Sequence, residues 1–590
     1  LDIYVGANSK MPAVVLKTGS TSASNFEGYT DAAIATLEAT HGILAMAARV
    51  TTYDQFTYTV GGKSVVASIT LASGVTSAVG ATVSAADQVA GGAGTDTLSI
   101  AVAGDNDTAA SDTVATAYTL SAISTTDVEK VTLSNFDTDG NDGNIVDAAL
   151  MNGLTTVGLS SSSATGDTTF SNVKNIVDGE MRNGAADLTI TYDTTVVTGT
   201  ADVQDLTVSN LTAGTVTVNS VETVNITSEL AKSTLTQLSA DAMTALNVSG
   251  DQNLTITANA VDFANATSAT AVDGVLDASA LSGDLSVLMA ADVVTVTGGS
   301  GNDTINMAAT LTAADTIDGG AGTDTVVVSA DTTTLTSMGI TNVEKIQAEA
   351  TANANLSVVT TGFAGLETLI LEENATTTKA MSVTDLAAGV SVELINNVNT
   401  TKAIGAVTLG LEDASGSADE LTVTLKGTAT HAAADNTVAS LAITDVETVN
   451  IVSSHAGTTA LAATDDNTVS TYSADTALTT MNLSGSDQLD ITLDNGATKL
   501  ATIDGSGMTD ELDLTVAATV NQTITGGSAN DTITMAATLN QNDSVDGGAG
   551  TDTLSATVTS ATATTGALTV ANVEKVNLTN GGSATIDATG

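Results

Sequence analysis

Short runs in which Val, Ile or Leu alternate with Thr, Ser, Asn or Asp recur along the chain: DLTITYD at 187–193, DLTVSNLTAGTVTVNS at 205–220, NLTITAN at 253–259, ELTVTLKG at 420–427 and LDITLDN at 489–495. An apolar, often β-branched side chain at every second position predicts strands with one buried and one wetted face, and clusters of Asn, Asp and Gly between the runs mark turns. One stretch departs from this period. In TDAAIATLEATHGILAMAAR, residues 30–49, Ile34, Leu37, His41 and Leu44 fall on one helical face behind Asp31, so a small helix is expected near the N-terminus despite Gly42.

The strand runs belong to a larger repeat. ATVSAADQVAGGAGTDTL begins at Ala81, ATLTAADTIDGGAGTDTV at Ala309 and ATLNQNDSVDGGAGTDTL at Ala537, an interval of 228 residues each time (309 − 81 and 537 − 309). SVETVNI at Ser220 and DVETVNI at Asp445 recur at a similar distance. The expected organisation is an N-terminal region at 1–80, a candidate anchor or interface; a β module at 81–308; a second copy at 309–536; and the start of a third at 537–590. The spacing of the strand phrases fits an elongated, irregular β-solenoid or β-roll, whose stacked coils each bury an aliphatic face on the next. Tandem β-sandwich modules are the alternative.

Charge narrows the function. With 67 acidic against 14 basic residues, a formal net charge of −53, the chain lacks the cations that nucleic acid or bare anionic lipid would need. Such self-repulsion calls for cations to neutralise carboxylates in the folded state. The absence of Cys removes disulfides, thiolate catalysis and Cys-ligated metal, and the three histidines, His41, His431 and His455, are scattered. No apolar run reaches the roughly 18 residues that would suggest a membrane span. Enzyme activity is not expected: only carboxylate pairs such as Asp465 with Asp466 or Glu372 with Glu373 remain as candidates, and 13 Tyr and Phe with no Trp offer few sugar platforms (7 Tyr, 6 Phe).

The chemistry gathers at glycine-rich turns that end in Asp. GGSGND at 298–303 and DGGAGTD at 318–324 stand 21 residues apart (319 − 298), and GGSAND at 526–531 with DGGAGTD at 546–552 repeat the pair (547 − 526). Glycines free the backbone to turn several carbonyls inward, and the Asp adds a charged oxygen; calcium takes six to eight such oxygens. Candidate metal residues are Gly299, Gly301, Asn302, Asp303, Asp315, Asp318, Gly320, Gly322 and Asp324, then Asn530, Asp531, Asp543, Asp546, Gly548, Gly550 and Asp552. In the first copy, Asp87 and Asp96 are weaker candidates, because Ala90 replaces the residue matching Asp318 and TLASGV at 70–75 aligns with GGSGND. FDTDGNDGN from Phe136 places Asp137, Asp139 and Asn141 at alternate positions, but Gly143 is out of register for an acidic calcium loop and Ala148 stands where a bidentate Glu belongs, so a solvated loop is favoured there. The VEKV and VETV phrases read as strand edges whose charges blunt edge pairing. Sequons such as Asn225, Asn265 and Asn374 are expected by chance in so Thr-rich a chain.

GGSGNDTIN and GGAGTDTVV resemble the glycine- and aspartate-rich nonapeptides of RTX proteins, which build calcium-bound parallel β-rolls; GGSANDTI departs from that pattern at Ala529. Isolated pairs embedded in long Thr-, Ala- and Val-rich β repeats look more like RTX-type surface-layer proteins of Gram-negative bacteria than like the long tandem runs of RTX toxins and proteases. The resemblance implies Ca2+ as cofactor, type I secretion, folding outside the cell and self-assembly into a two-dimensional lattice at the cell surface, with surface glycan or lipopolysaccharide as a candidate anchor. A calcium-rigidified RTX adhesin or biofilm-matrix fibre is the alternative. An ice-binding array is a third: Thr-x-Thr rows occur at Thr189, Thr215 and Thr532, but at irregular spacing.

Overall fold

A computed structural model describes residues 123–136, 144–264, 272–290, 293–329 and, with short breaks, 334–580, together with brief segments at 3–4, 13–14, 56–57, 65–70, 88–91, 93–103 and 118–120. The expected helix at 30–49 lies outside the described residues. Every regular element among those described is a strand. They form two compact units, Leu1–Asp303 with Gly320–Gly322, and Thr304–Gly319 with Thr323–Gly590.

In the first unit one wall runs from Val65–Thr70 to Val294–Thr297, and a second from Tyr118–Leu120 to Gln237–Ser239. In the second unit the walls run from Thr304–Ala308 to Thr569–Ala571 and from Thr334–Leu335 to Lys575–Asn580. Successive strands of the chain alternate between walls: Thr480–Gly485 and Thr502–Met508 pair in one, Leu489–Leu493 and Leu512–Val516 in the other, all parallel. A coil is therefore two strands and two turns, and the next coil lies flat upon it. This is the β-solenoid arrangement; sandwiches are built from antiparallel sheets. Antiparallel pairing among the described residues is confined to Ile3–Tyr4 with Ala13–Val14 and Phe56–Thr57 with Val65–Thr70.

Parallel register puts like residues above like. Val449, Met481, Ile503, Ile524 and Val545 are partners in sequence down one wall, and Ile491, Leu514, Ile533 and Leu554 down the other. Each is at most 1% exposed, so the two rows form a continuous aliphatic core. Coil length is free to vary because only the strands must register. From Ile503 to Ile524 is 21 residues (524 − 503), while Val449 to Met481 is 32 (481 − 449). That accounts for the uneven spacing of the strand phrases.

The outward positions also stack. Asn247 donates from Nδ2 to Asn225 Oδ1 at 2.8 Å, and Asn225 in turn to Asp205 Oδ1 at 2.7 Å; Asn482 to Asn450 repeats this at 2.8 Å. Asn225, a formal sequon, thus spends its amide on the ladder. Replacing Ile503 by Ala should cost about 2–5 kcal/mol, read as a shift in denaturant midpoint with calcium present. Thr502→Ala on the outer face of the same strand should stay within about 0.5 kcal/mol.

Candidate metal centre

The turn at 547–552 shows why its glycines are needed. Gly548 has φ 94° and Gly550 φ 139°, conformations that L side chains avoid. A Cβ at Gly548 would also lie 2.1 Å from Gly527 O, and one at Gly550 2.0 Å from Ala529 O, so the turn rests directly on the backbone of the turn one coil earlier. Ala549 N–H donates to Gly527 O at 3.0 Å and fixes that stacking. In the first unit Gly320 (φ 96°) and Gly322 (φ 133°) sit in the same way over Gly299 O and Gly301 O. Gly301 lacks a left-handed φ, which is why Ala529 can occupy its counterpart position without straining the backbone.

The stacking aligns the carboxylates. Leu512 N–H donates to Asp531 Oδ1 at 2.9 Å, Asp531 N–H to Asp552 Oδ1 at 2.8 Å, and Asp552 N–H to Glu574 Oε2 at 2.8 Å. Each acid in this column accepts the amide of the coil before it. Asp531 Oδ2 is answered as well, by Gly527 N–H. Asp552 Oδ2 is different: the residue is 1% exposed and this oxygen has no hydrogen-bond partner among the described residues. A buried carboxylate oxygen without a donor is costly. A cation would relieve it.

Electrostatics agrees. Burial, with the negative neighbours Asp552 and Asp513, pushes the Asp531 carboxyl up to about 6 against the pull of the Gly527 and Leu512 amides. Its counterpart Asp303 is raised by burial and by Asp284, while accepting Leu285 N–H at 2.7 Å and Gly299 N–H at 2.6 Å. Burial and like charge thus disfavour the ionised form of Asp531 and of Asp303.

The other candidates take different places. Asp546 Oδ1 accepts Gly548 N–H at 3.1 Å and Asn572 Nδ2 at 2.8 Å; Asp318 Oδ1 accepts Asn342 Nδ2 at 2.8 Å. Asn530 Oδ1 accepts Thr551 N–H at 2.8 Å, and Asn302 backbone N–H donates to Asp284 Oδ1 at 2.8 Å; both asparagines are exposed, on the outer rim of their turns. Asp543 is buried at 2%, with Oδ1 on Gln522 N–H at 2.9 Å and Oδ2 on Asn540 N–H at 2.7 Å; Asp315 accepts Thr312 N–H at 2.6 Å. Asp315 and Asp543 each close a local turn, through Thr312 N–H and Asn540 N–H, and Asp543 also takes the Gln522 amide of the coil before. Asp324 and Asp96, at 1% and 3% exposure, donate their N–H to Glu344 Oε2 and Glu129 Oε2, each at 2.8 Å. Asp87, Asp137, Asp139 and Asn141 lie outside the described residues, as do 71–75. Of the carboxylate pairs, Glu372 and Glu373 are 5% and 3% exposed and accept Gln347 Nε2 and Lys379 N–H, while Asp465 and Asp466 are outside the described residues. His455 Nδ1 lies 2.8 Å from Asp487 Oδ1.

Among the described residues no three acidic or histidine side chains converge into a metal cluster. Any ion held at these turns must therefore take most of its ligands from peptide carbonyls, with one or two carboxylates adding charge. That is a donor set for a hard, oxygen-seeking cation of high coordination number, and the unanswered Asp552 oxygen fits it. The family description that matches is the RTX calcium-binding nonapeptide repeat, in four copies over residues 294–306, 309–335 and 537–557. The chain carries RTX calcium-binding repeats. Its cofactor is Ca2+, and its RTX turns are built into a parallel β-solenoid. No curated protein matches the chain.

The sequence reading missed the glutamates. Glu344 and Glu574 belong to the NVEK phrases, and both reach back to the Asp that ends an RTX turn; Lys575–Asn580, after Glu574, is an edge strand among the described residues, as expected, but the edge reading fails for Glu344. The strand that follows Glu344, Lys345–Ala350, is paired on both sides, by Thr325–Ser329 and Thr368–Glu373. The recurrence of Val-Glu at coil starts was the available signal.

Gly548→Ala should destabilise the calcium-bound form by more than about 1 kcal/mol, measured by thermal unfolding, since it meets both the φ strain and the Gly527 carbonyl. A second expectation concerns pH. Folding raises the Asp531 carboxyl from 3.8 to about 6, so in calcium-stripped protein its contribution is fully present below pH 3.8 and lost as pH rises through about 6. The unfolding temperature of the stripped wild type should fall over that window more than that of Asp531→Asn; equal slopes would remove the assignment.

Proposed function

We propose that this is a secreted structural protein that assembles into a calcium-dependent two-dimensional layer on a bacterial cell surface. The observation that carries the reading is the union of two features in one chain: long parallel coil stacks with continuous aliphatic rows, and RTX turns, at one of which the buried Asp552 carboxylate calls for a cation. RTX repeats imply export by the type I route and contact with calcium outside the cell. A site that binds only the folded state adds about 2.7 kcal/mol when the ion is a hundredfold above its Kd. That linkage favours the folded chain where calcium is plentiful and weakens it where calcium is scarce. Outside, the same ions neutralise rims that a net charge of −53 would otherwise hold apart. Among the described residues no helix is long and apolar enough to cross a membrane.

The test is electron microscopy of purified protein with calcium and after EGTA. Ordered sheets with calcium, dispersing on chelation with loss of the β signal in circular dichroism, are expected. Separate rods in calcium would replace the layer by an adhesin or matrix fibre, and sheets indifferent to EGTA would remove calcium from the mechanism.

A further inference from the structure

Five phrases in the chain share one local geometry. Asp127, Ser220, Asn342, Asp445 and Asn572 have φ of 51°, 63°, 51°, 59° and 50°, and each is followed by Val-Glu. Val128, Val221, Val343 and Val446 are no more than 2% exposed. The left-handed residue turns the chain into a new coil, the Val plugs the core in these four and is half-buried at Val573, and the Glu is left facing the turn one coil back. There it accepts the N–H of an Asp: Glu129 from Asp96, Glu222 from Asp202, Glu344 from Asp324, Glu447 from Asp419 and Glu574 from Asp552, at 2.8, 2.9, 2.8, 3.0 and 2.8 Å. The residue after the Glu returns a bond to the carbonyl of the same Asp, as Lys345 N–H does to Asp324 O at 2.9 Å and Lys575 N–H to Asp552 O at 3.0 Å. The peptide units on both sides of the Asp are clasped.

Glu574 takes up the place that an RTX Asp holds one coil earlier. Asp531 N–H is held by the Asp552 carboxylate, and Asp552 N–H by the Glu574 carboxylate. The column of acids thus runs one coil beyond the last RTX repeat, whose match ends at residue 557. The geometry points to Glu344 and Glu574 as positioning residues of the calcium sites: each orients the terminal Asp of an RTX turn from the neighbouring coil, and neither is needed as a ligand. Partners in the outer shell of a metal site commonly set its affinity by ten- to a hundredfold. Asp202 provides the contrast. It is clasped by Glu222 in the same manner, but its turn, GTAD at 199–202, lacks the RTX glycines, and its Oδ2 accepts Gly199 N–H at 3.3 Å.

The inference rests on the calcium reading above, and the experiment separates the two. Calcium titration calorimetry on the full chain compares wild type with the Glu344→Ala/Glu574→Ala, Glu344→Gln/Glu574→Gln and Glu222→Ala variants. The Ala pair should bind about tenfold more weakly, the Gln pair, which keeps the acceptor oxygen, within about twofold of wild type, and Glu222→Ala should lose thermal stability at unchanged calcium affinity. Wild-type affinity in the Ala pair overturns the proposal, as does an equal loss of affinity in Glu222→Ala. A loss in the Gln pair as large as in the Ala pair overturns it too, by making the charge a ligand. If the Ala pair does not fold, Glu344→Asp/Glu574→Asp replaces it: one methylene shorter, it should show the same weakening, and unchanged affinity overturns the proposal. A wild type that takes up no calcium disposes of the calcium reading itself.

Discussion

Parallel stacking in register is the constraint from which the other features descend. Once one coil lies on the next at the strand spacing of about 4.8 Å, every residue is repeated above and below by its equivalents, whatever the chain does in between. Inside the walls this makes rows such as Met481, Ile503, Ile524 and Val545, which need no aromatic bulk because each side chain is covered by the next. It also explains how a chain with only 2% aromatic residues sustains a core. Outside, the same rule builds asparagine ladders that satisfy one another's amides.

At the turns the rule becomes a liability. A turn that ends in Asp, stacked on another that ends in Asp, brings carboxylates together in a place that the solvent does not reach. Backbone amides offset part of the cost, each acid taking the N–H of the coil before it, and the elevated Asp531 carboxyl shows that they do not offset all of it. A calcium ion would complete the balance with charge, and peptide carbonyls of the turns would have to supply most of its oxygens. The overall acidity of the chain and the local stacking of acids therefore pose the same problem at two scales.

Much of this was legible in the sequence. Alternation gave the strands, the 228-residue interval gave the copies of the turn, and the glycines with Asp gave the RTX resemblance that the family match bears out. Parallel pairing decided for the solenoid over the sandwich, a choice that period two alone leaves open, since it reports which face is buried and not which strand lies alongside. The glutamates were misread for a related reason. Val-Glu-Lys looks like the border of a strand, and it is one, but only stacking reveals that the side chain crosses to the previous coil. The equivalence of Glu574 with Asp552 is likewise a matter of register, invisible to a search for Gly-Gly-x-Gly-x-Asp.

Asp543 and Asp552 show how the structure sorts acids that composition cannot. Both lie in the same repeat, at 2% and 1% exposure, and both follow a turn. Asp543 has one amide on each oxygen, Asn540 N–H from its own turn and Gln522 N–H from the coil before. Asp552 has an amide on one oxygen and none on the other, and its own N–H is held from beyond by Glu574. Fixing the backbone on one side while leaving an oxygen unanswered on the other preorganises a carboxylate without neutralising it. In a one-dimensional stack, where each coil touches only its neighbours, such a residue can be set up only by the coil before and the coil after. The calcium turn is thus a property of three consecutive coils, and the nine residues of the repeat are its middle third.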